Sequence, residues 1–245
     1  MQHARRITII LWSICFFILS LYLALIPTIF NRSFCESQLK KQETAVHLNM
    51  SDEELNKALD KTLDYLAGKS DDLHFNVTLK DGTSREFYSV TQDDFYPYRV
   101  YDEYAHMAEV KELFNKAKSL AVLAVIVWLS CTFILLYGRK LLLTKHFRTA
   151  YITHAVLVLL FIGIGLYAAL DFNSFFSLFH QIFFPGGNWT FPSNSFMLQL
   201  FSDLLFGIIY RSLIIFIVLY LLSLTLTFIS SRFIFTRQLK TNEKD

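Results

Sequence analysis

Four long runs of apolar residues set the pattern of this sequence. They extend over Ile7 to Phe30, Leu120 to Tyr137, Ala150 to Leu170 and Ser212 to Phe235, and the only Lys, Arg, Asp or Glu within them is Arg232. A helix rises 1.5 Å per residue, so runs of about 18 residues or more can cross a hydrocarbon core of about 30 Å. The pattern therefore predicts a membrane all-α fold, a four-transmembrane-helix bundle.

The polar stretch between the first two runs predicts a small extracellular α+β cap. Ser51-Asp52-Glu53-Glu54 has the form of a capping box, and leucines spaced along one helix face follow it. Phe75 to Lys80 then alternates apolar and polar residues, Asp81-Gly82 is a turn signal, and Arg85 to Val90 is the predicted returning strand. A helix packed over a hairpin is the expected core of this cap.

From Asp102 onwards the spacing of apolar residues becomes helical. Five residues are spaced four, three, four and three positions apart, which places them on one stripe of a helix: His106, Val110, Leu113, Ala117 and Leu120. The pattern predicts one helix that continues from the cap into the second transmembrane run.

Composition and charge narrow the class of protein. Hydrophobic residues make up 53% of the chain, 25 residues are Phe, and the net charge is +2. Such a composition indicates a protein whose partner is the lipid bilayer, and the dispersed basic residues exclude a nucleic-acid-binding surface. Two of the three cysteines fall inside apolar runs, so no disulfide framework is expected.

The distribution of Lys and Arg predicts the orientation in the membrane. Arg139, Lys140, Lys145 and Arg148 crowd the second connection, whereas Asp171 to Asp203 contains no basic residue. We therefore expect a multi-pass protein of the cell membrane with both termini cytoplasmic. The predicted segments in order are a cytoplasmic tail with the first transmembrane helix (1–30), the extracellular cap (31–116), the second transmembrane helix (117–137), a cytoplasmic loop (138–149), the third transmembrane helix (150–170), an extracellular aromatic loop (171–203), the fourth transmembrane helix (204–235) and a cytoplasmic tail (236–245).

The segment from Phe172 to Phe196 surrounds one histidine, His180, with aromatic residues and a Pro-Gly-Gly turn. It is too polar to span a bilayer, and its aromatic content is typical of the headgroup level. His106 on the predicted long helix is the second candidate histidine. The plain alternative is that His180 is a hydrogen-bonded interfacial residue and His106 a surface residue.

Several chemistries stay open on these residues alone. Asp102 precedes His106 by one helical turn, so its carboxylate could orient the imidazole. His106, Glu109 and His180 could instead hold a metal in a membrane amidase or lipid hydrolase, although HExxH is absent. Arg211 lies near the outer end of the last run, where it can bind an anionic headgroup or extend to the interface. A non-enzymatic assembly or sensor protein of the envelope is a further alternative.

Two motifs resemble one known family. The stretch from Asp102 to Phe114, DEYAHMAEVKELF, together with FHQIFF at Phe179 to Phe184 and GNWTF at Gly187 to Phe191, is similar to the bacterial lipoprotein intramolecular transacylase family of four-span membrane proteins. The resemblance implies that His106 and His180 are catalytic. It further implies that the sn-2 acyl chain of a diacylated lipoprotein moves from the glyceryl oxygen to the amine of its N-terminal cysteine, which gives a lyso-form lipoprotein.

Such a reaction needs acid–base groups but no nucleophile from the enzyme, because the substrate carries its own amine. We therefore expect no cofactor and no metal. The substrate-binding residues expected in this scheme are Phe183, Phe184, Asn188, Trp189 and Arg211, and the aromatic ones would keep water away from the ester.

Overall fold

The computed structural model describes residues 2–92, 100–137, 144–187 and 189–242. The chain divides into two compact units. The span unit consists of Met1–Ala24, Lys118–Phe172 and Leu213–Asp245, and the cap unit consists of Leu25–Ala117 and Asn173–Ser212. Arg139, Lys140 and Asn188, which the sequence analysis singled out, lie outside the described residues.

Helices make up most of the described chain. The helices are α1 (Gln2–Ile29), α2 (Arg32–Lys41), α3 (Thr44–His47), α4 (Asp52–Leu66), α5 (Glu103–Tyr137), α6 (Thr144–Leu170), α7 (Phe172–Phe183) and α8 (Phe196–Asn242). The strands are β1 (Asn76–Thr78), β2 (Ser84–Glu86), β3 (Val90–Gln92) and β4 (Val100–Asp102), which form two separate two-stranded sheets.

Four of these helices are long and apolar enough to cross a membrane. The segments that qualify by length and composition are His3–Ile29, Glu103–Tyr137, His146–Leu170 and Phe196–Ile229. Large apolar side chains on them are exposed, with Phe133 at 70% and Leu159 at 67%. Such exposure is unfavourable in water and favourable in lipid. The predicted four-helix membrane fold with a small α+β cap is confirmed.

Aromatic packing forms the core of the span unit. Phe17 on α1 contacts Phe161 on α6 at 6.0 Å and Phe216 on α8 at 5.5 Å between ring centroids. The interplanar angles of 78° and 81° are the edge-to-face geometry that aromatic quadrupoles favour. One phenylalanine therefore joins three helices.

Helix α4 organises the core of the cap unit, as its leucine periodicity predicts. Leu55, Leu59, Leu63 and Leu66 are all buried. Ser51 caps the helix by accepting a hydrogen bond from the Glu54 amide at 3.1 Å. The Glu54 carboxylate accepts from the Thr78 amide, so it ties α4 to β1.

The predicted hairpin forms, but its second strand is shorter than expected. Strands β1 and β2 pair antiparallel with Val77 opposite Arg85. The predicted return through Val90 is wrong, because β2 ends at Glu86 and Val90 begins β3. Phe87 and Tyr88 are consecutive and both buried, whereas successive residues of a regular strand point to opposite faces.

The first turns of α8 complete the core of the cap unit. Four of its residues, Phe196, Met197, Leu200 and Leu204, are buried in the same cluster as the leucines of α4. Further along α8, a Cβ at Gly207 would lie 2.5 Å from Gln38 Oε1, so a larger residue there would have to displace the Gln38 side chain of α2. Thr44 also donates a hydrogen bond to Asp203 at 2.6 Å.

Candidate functional site

Helix α5 positions the first predicted histidine through a firmly anchored N-terminus. Asp102 caps the helix, since its Oδ1 accepts a hydrogen bond from the Ala105 amide at 2.9 Å. Our suggestion that Asp102 also orients the His106 ring stays a prediction.

The buried side chain of Glu103 also holds the first turn of α5 in place. Its side chain accepts one hydrogen bond from Ser195 Oγ at 2.5 Å and another from the Ser89 amide at 2.8 Å. Ser195 in turn caps α8 by accepting from the Leu198 amide at 3.0 Å. One buried carboxyl therefore holds the starts of α5 and α8 together within the cap unit, a role that the sequence analysis did not predict.

Helix α7 positions the second histidine. The aromatic stretch at Phe172–Phe183 is helical, and His180 lies in its last turn with 8% of its surface exposed. The His180 Nδ1–H donates to the carbonyl oxygen of Phe176 at 2.8 Å, because a carbonyl can only accept. This hydrogen bond selects the tautomer whose Nε2 carries a lone pair.

Burial also influences the charge of His180. Removal of the imidazole from water lowers its pKa from the ordinary value of 6.5, and the Phe176 carbonyl partly opposes this change. His180 therefore stays neutral to a lower pH than an exposed histidine does.

The fold brings the two predicted catalytic residues together. The ring centroids of His106 and His180 lie 6.2 Å apart, and the rings are inclined by 24°. Phe184, 3% exposed, contacts both, with centroid distances of 4.9 Å to His106 and 5.3 Å to His180. Trp189 lies 5.1 Å from His180. We call this set of rings the histidine site.

The other predicted substrate-binding residues have different positions. Phe183 is 47% exposed and contacts Phe179 at 4.7 Å. Arg211 stacks its guanidinium over the Phe34 ring at 4.5 Å. The contacts described for Arg211 therefore do not include either histidine.

Two aromatic residues of the histidine site were not predicted. Phe176 lies 3.9 Å from His180, and Phe191 lies 5.3 Å from His106, measured between ring centroids. Phe176 precedes His180 by four residues, which is the spacing of neighbours on a helix face. The four-residue spacing predicts this contact only if the stretch is known to be helical.

Glu109 lies one turn after His106 on α5 and approaches the turn that follows α7. A Cβ at Gly186 would lie 3.2 Å from Glu109 Oε1. Within residues 2–92, 100–137, 144–187 and 189–242, no three His, Cys, Asp or Glu side chains are grouped to hold a metal. The ligand set proposed for a metal-dependent hydrolase is therefore not assembled there.

The histidine site can transfer protons in surroundings that exclude water. A cysteine nucleophile is not available in the cap unit, because Cys35 is fully buried and burial raises the pKa of its thiol to about 11. Two imidazoles side by side can remove a proton from one atom of a bound molecule and deliver a proton to another. The arrangement suits a substrate that contains both the nucleophile and the leaving group.

Comparisons with known proteins identify the family of this chain. The model of the family described as "Lipoprotein intramolecular transacylase Lit" matches residues 10–206. No curated protein sequence matches significantly.

Three solved structures of the membrane integral lipoprotein intramolecular transacylase Lit from Bacillus cereus share the fold. One has 15% sequence identity and a TM-score of 0.68, and the alignment covers 98% of this chain and 100% of the other. Two variants of that protein, each with one histidine substituted, give TM-scores of 0.61 and 0.64 at 16% and 15% identity. They cover 98% of this chain and 96% and 97% of theirs.

The family model covers well over half of the sequence, and the structural similarity extends over nearly all of it. The chain therefore belongs to the lipoprotein intramolecular transacylase family.

Proposed function

We propose that this protein converts a diacylated lipoprotein to its lyso-form by moving the sn-2 acyl chain onto the amine of the N-terminal cysteine. The observation that carries this proposal is the contact between His106 and His180, whose ring centroids are 6.2 Å apart in an aromatic environment. Neither histidine needs to form a covalent bond, because the substrate supplies the nucleophile.

The reaction balances without any other reactant. The cysteine α-ammonium first loses a proton to a base, since only the neutral amine attacks a carbonyl. The new C–N bond forms as the bond between the acyl carbon and the glyceryl oxygen breaks. One proton then moves to the glyceryl oxygen, and the other is released to solvent.

His180 is the better candidate for the base. Its Nδ1–H is engaged with the Phe176 carbonyl, so its Nε2 lone pair is the atom that can accept a proton. The carbonyl also stabilises the imidazolium that would form. His106 would then donate the proton to the departing glyceryl oxygen.

The aromatic residues contribute position and exclusion of water. Holding the amine and the ester of one molecule in contact can lower the barrier by several kcal/mol. Four aromatic residues contact the two imidazoles and would exclude the water that could hydrolyse the ester before acyl transfer. They are Phe176, Phe184, Trp189 and Phe191. Asn188, which follows Gly187 in the sequence, stays a proposed contact, as do Phe183 and Arg211.

We propose the outer face of the cell membrane as the location of this reaction. Asp171 to Asp203 lacks Lys and Arg, whereas Lys145 and Arg148 are close to the start of the third apolar run. By the positive-inside rule, the segment that carries His180 is then external, and both termini are cytoplasmic. Lipid-modified proteins displayed at that face would be the substrates.

Mass spectrometry of a co-expressed lipoprotein tests the proposal. We expect the intact protein to shift one acyl chain from the glyceryl group to the cysteine nitrogen without a change in total mass. His106→Ala or His180→Ala should leave the acyl chain on the glyceryl oxygen. Acyl transfer by the double variant at the normal rate would exclude these histidines as the catalytic pair.

A further inference from the structure

One helical turn from His106 lies a carboxylate, that of Glu109, for which no ion pair with a described residue is present. Glu109 lies three residues after His106, on the same face of α5. Its Oε2 atom is buried and accepts no hydrogen bond from any residue that the structure describes. Glu109 as a whole is half-buried, but this one oxygen is shielded and unbonded, so a hydrogen-bond donor placed beside it would satisfy it.

The two lysines nearest to Glu109 on α5 already have other partners. Lys111 pairs with Asp71 at 2.9 Å, and Lys116 pairs with Glu112 at 2.7 Å. Neither ion pair involves Glu109. Among the described residues no cation is paired with Glu109, so a bound molecule that carries a cationic donor can occupy this place.

The proposed substrate brings such a cation to this place. Its α-amine has an unperturbed pKa near 8, so most of it is an ammonium group at neutral pH. This group must approach the base before it can lose its proton. We infer that Glu109 binds the α-ammonium of the lipoprotein's N-terminal cysteine and holds it at the two histidines; this inference rests on the proposed function.

The turn after α7 leaves space for the Glu109 carboxylate. Phe184 accepts a hydrogen bond from the Gly187 amide at 3.1 Å, so Pro185 and Gly186 occupy the corners of a tight turn. Gly186 has no side chain, and the Glu109 carboxylate occupies the space in front of it. A negative charge here disfavours a developing oxyanion and favours an ammonium, which assigns this side of the site to the amine and not to the ester carbonyl.

Binding of substrate analogues separates this role from a structural one. The probe is a cysteinyl peptide with an ether-linked dialkylglyceryl group, which has no acyl chain to transfer, prepared with a free amine or with an acetylated amine. We expect the unmodified full-length protein to bind the free-amine form about tenfold more tightly or more, as a charge-assisted hydrogen bond predicts. Glu109→Gln should abolish this preference and leave the affinity for the acetylated form unchanged.

Glu112→Gln is the matched control, because Glu112 is exposed on the same helix and pairs with Lys116. It should keep the preference for the free amine. If Glu109→Gln also keeps the preference, or loses affinity for both forms equally, the inference is wrong although the proposed function stands. If instead the unmodified protein binds neither form, or both histidine substitutions leave acyl transfer intact, the proposed function itself fails.

Discussion

Each of the two units has a buried histidine in an aromatic cluster, and the two clusters differ in one chemical respect. In the span unit, His154 is 1% exposed, and its Nδ1 shares a hydrogen bond of 2.7 Å with the Tyr220 hydroxyl. In the cap unit, His180 is 8% exposed and bonds to a backbone carbonyl. Burial and a hydrogen-bonded Nδ1 are therefore common to both.

The difference lies in the neighbours. His154 has Trp12 and Tyr220 as its ring contacts among the described residues. His180 has a second imidazole in contact. A single buried histidine can hold helices together, whereas a pair of ionisable rings can pass a proton between two atoms of a substrate. We propose that the pairing of imidazoles, and not burial, distinguishes the proposed catalytic site from a packing contact.

The largest expected effect comes from substituting each histidine by the neutral, hydrogen-bonding glutamine. His180→Gln should lower the rate of acyl transfer by roughly 10²–10⁴-fold, the usual contribution of a general acid or base. His154→Gln should retain most of the rate, because Gln can still bond to the Tyr220 hydroxyl. Rates measured on a synthetic diacylated lipopeptide with purified, folded proteins check this.

An equal loss of rate in the folded His154→Gln protein would contradict the distinction drawn between the two clusters. It would mean that the span unit takes part in the chemistry.

Two adjacent phenylalanines provide a second test, with an intermediate effect. Phe184 is 3% exposed and contacts both histidines, whereas Phe183 is 47% exposed. Phe184→Ala should lower the free energy of unfolding by about 3–5 kcal/mol, as expected for a buried phenylalanine. Phe183→Ala should change it by about 0.5 kcal/mol or less. Chemical unfolding in detergent, followed by intrinsic fluorescence, measures both.

Similar losses of stability in the two variants would show that the buried Phe184 stabilises the fold no more than the exposed Phe183 does. A stable Phe184→Ala protein with reduced transfer would assign this residue to substrate binding alone.

The smallest effect is a displacement of the pH profile. Because burial lowers the pKa of His180, its base form persists as the pH falls below the ordinary histidine value of 6.5. The acid limb of kcat/KM should then lie below pH 6.5, and the substrate amine should dominate the alkaline side, near its unperturbed pKa of about 8.

The same shift has a consequence for stability. A depressed pKa in the folded state stabilises the protein fully above the unfolded-state value of 6.5, and this contribution is lost as the pH falls through the folded-state pKa. His180→Gln should remove that part of the acid destabilisation, which unfolding measurements below pH 6.5 can detect. An acid limb centred above pH 6.5 in the unmodified protein would exclude His180 as the base.

Local patterns in the sequence predicted much of the fold. The apolar runs require helices because a lipid environment leaves backbone groups no other partners. The Ser51 cap and the alternation around Val77 specify a helix and a hairpin through interactions only a few residues long. The short helices α2 and α3 and the pair β3–β4 lack such strong periodicity, and they were not predicted.

The histidine site was predicted less completely. The motifs around His106 and His180 singled out the two rings through a family resemblance, and Phe184 and Trp189, which were expected to bind substrate, lie beside His180. The roles of these residues stay predictions. Contact between Phe176 and His180 depends on α7 being helical, which the many aromatic residues and the Pro-Gly-Gly turn obscured. Phe191 reaches His106 from a segment without regular structure, so no periodicity points to it.

The sequence by itself determined the membrane class, the helical spans and the residue types available for proton transfer, because hydrophobic periodicity and side-chain chemistry are local properties. Only the tertiary structure decided that His106 and His180 meet, that Glu103 is buried against Ser195, and that Glu109 faces Gly186. These contacts join α5 to segments far away in the chain. They depend on how whole elements pack, and packing is set by the summed burial of many side chains, which no single stretch of sequence encodes.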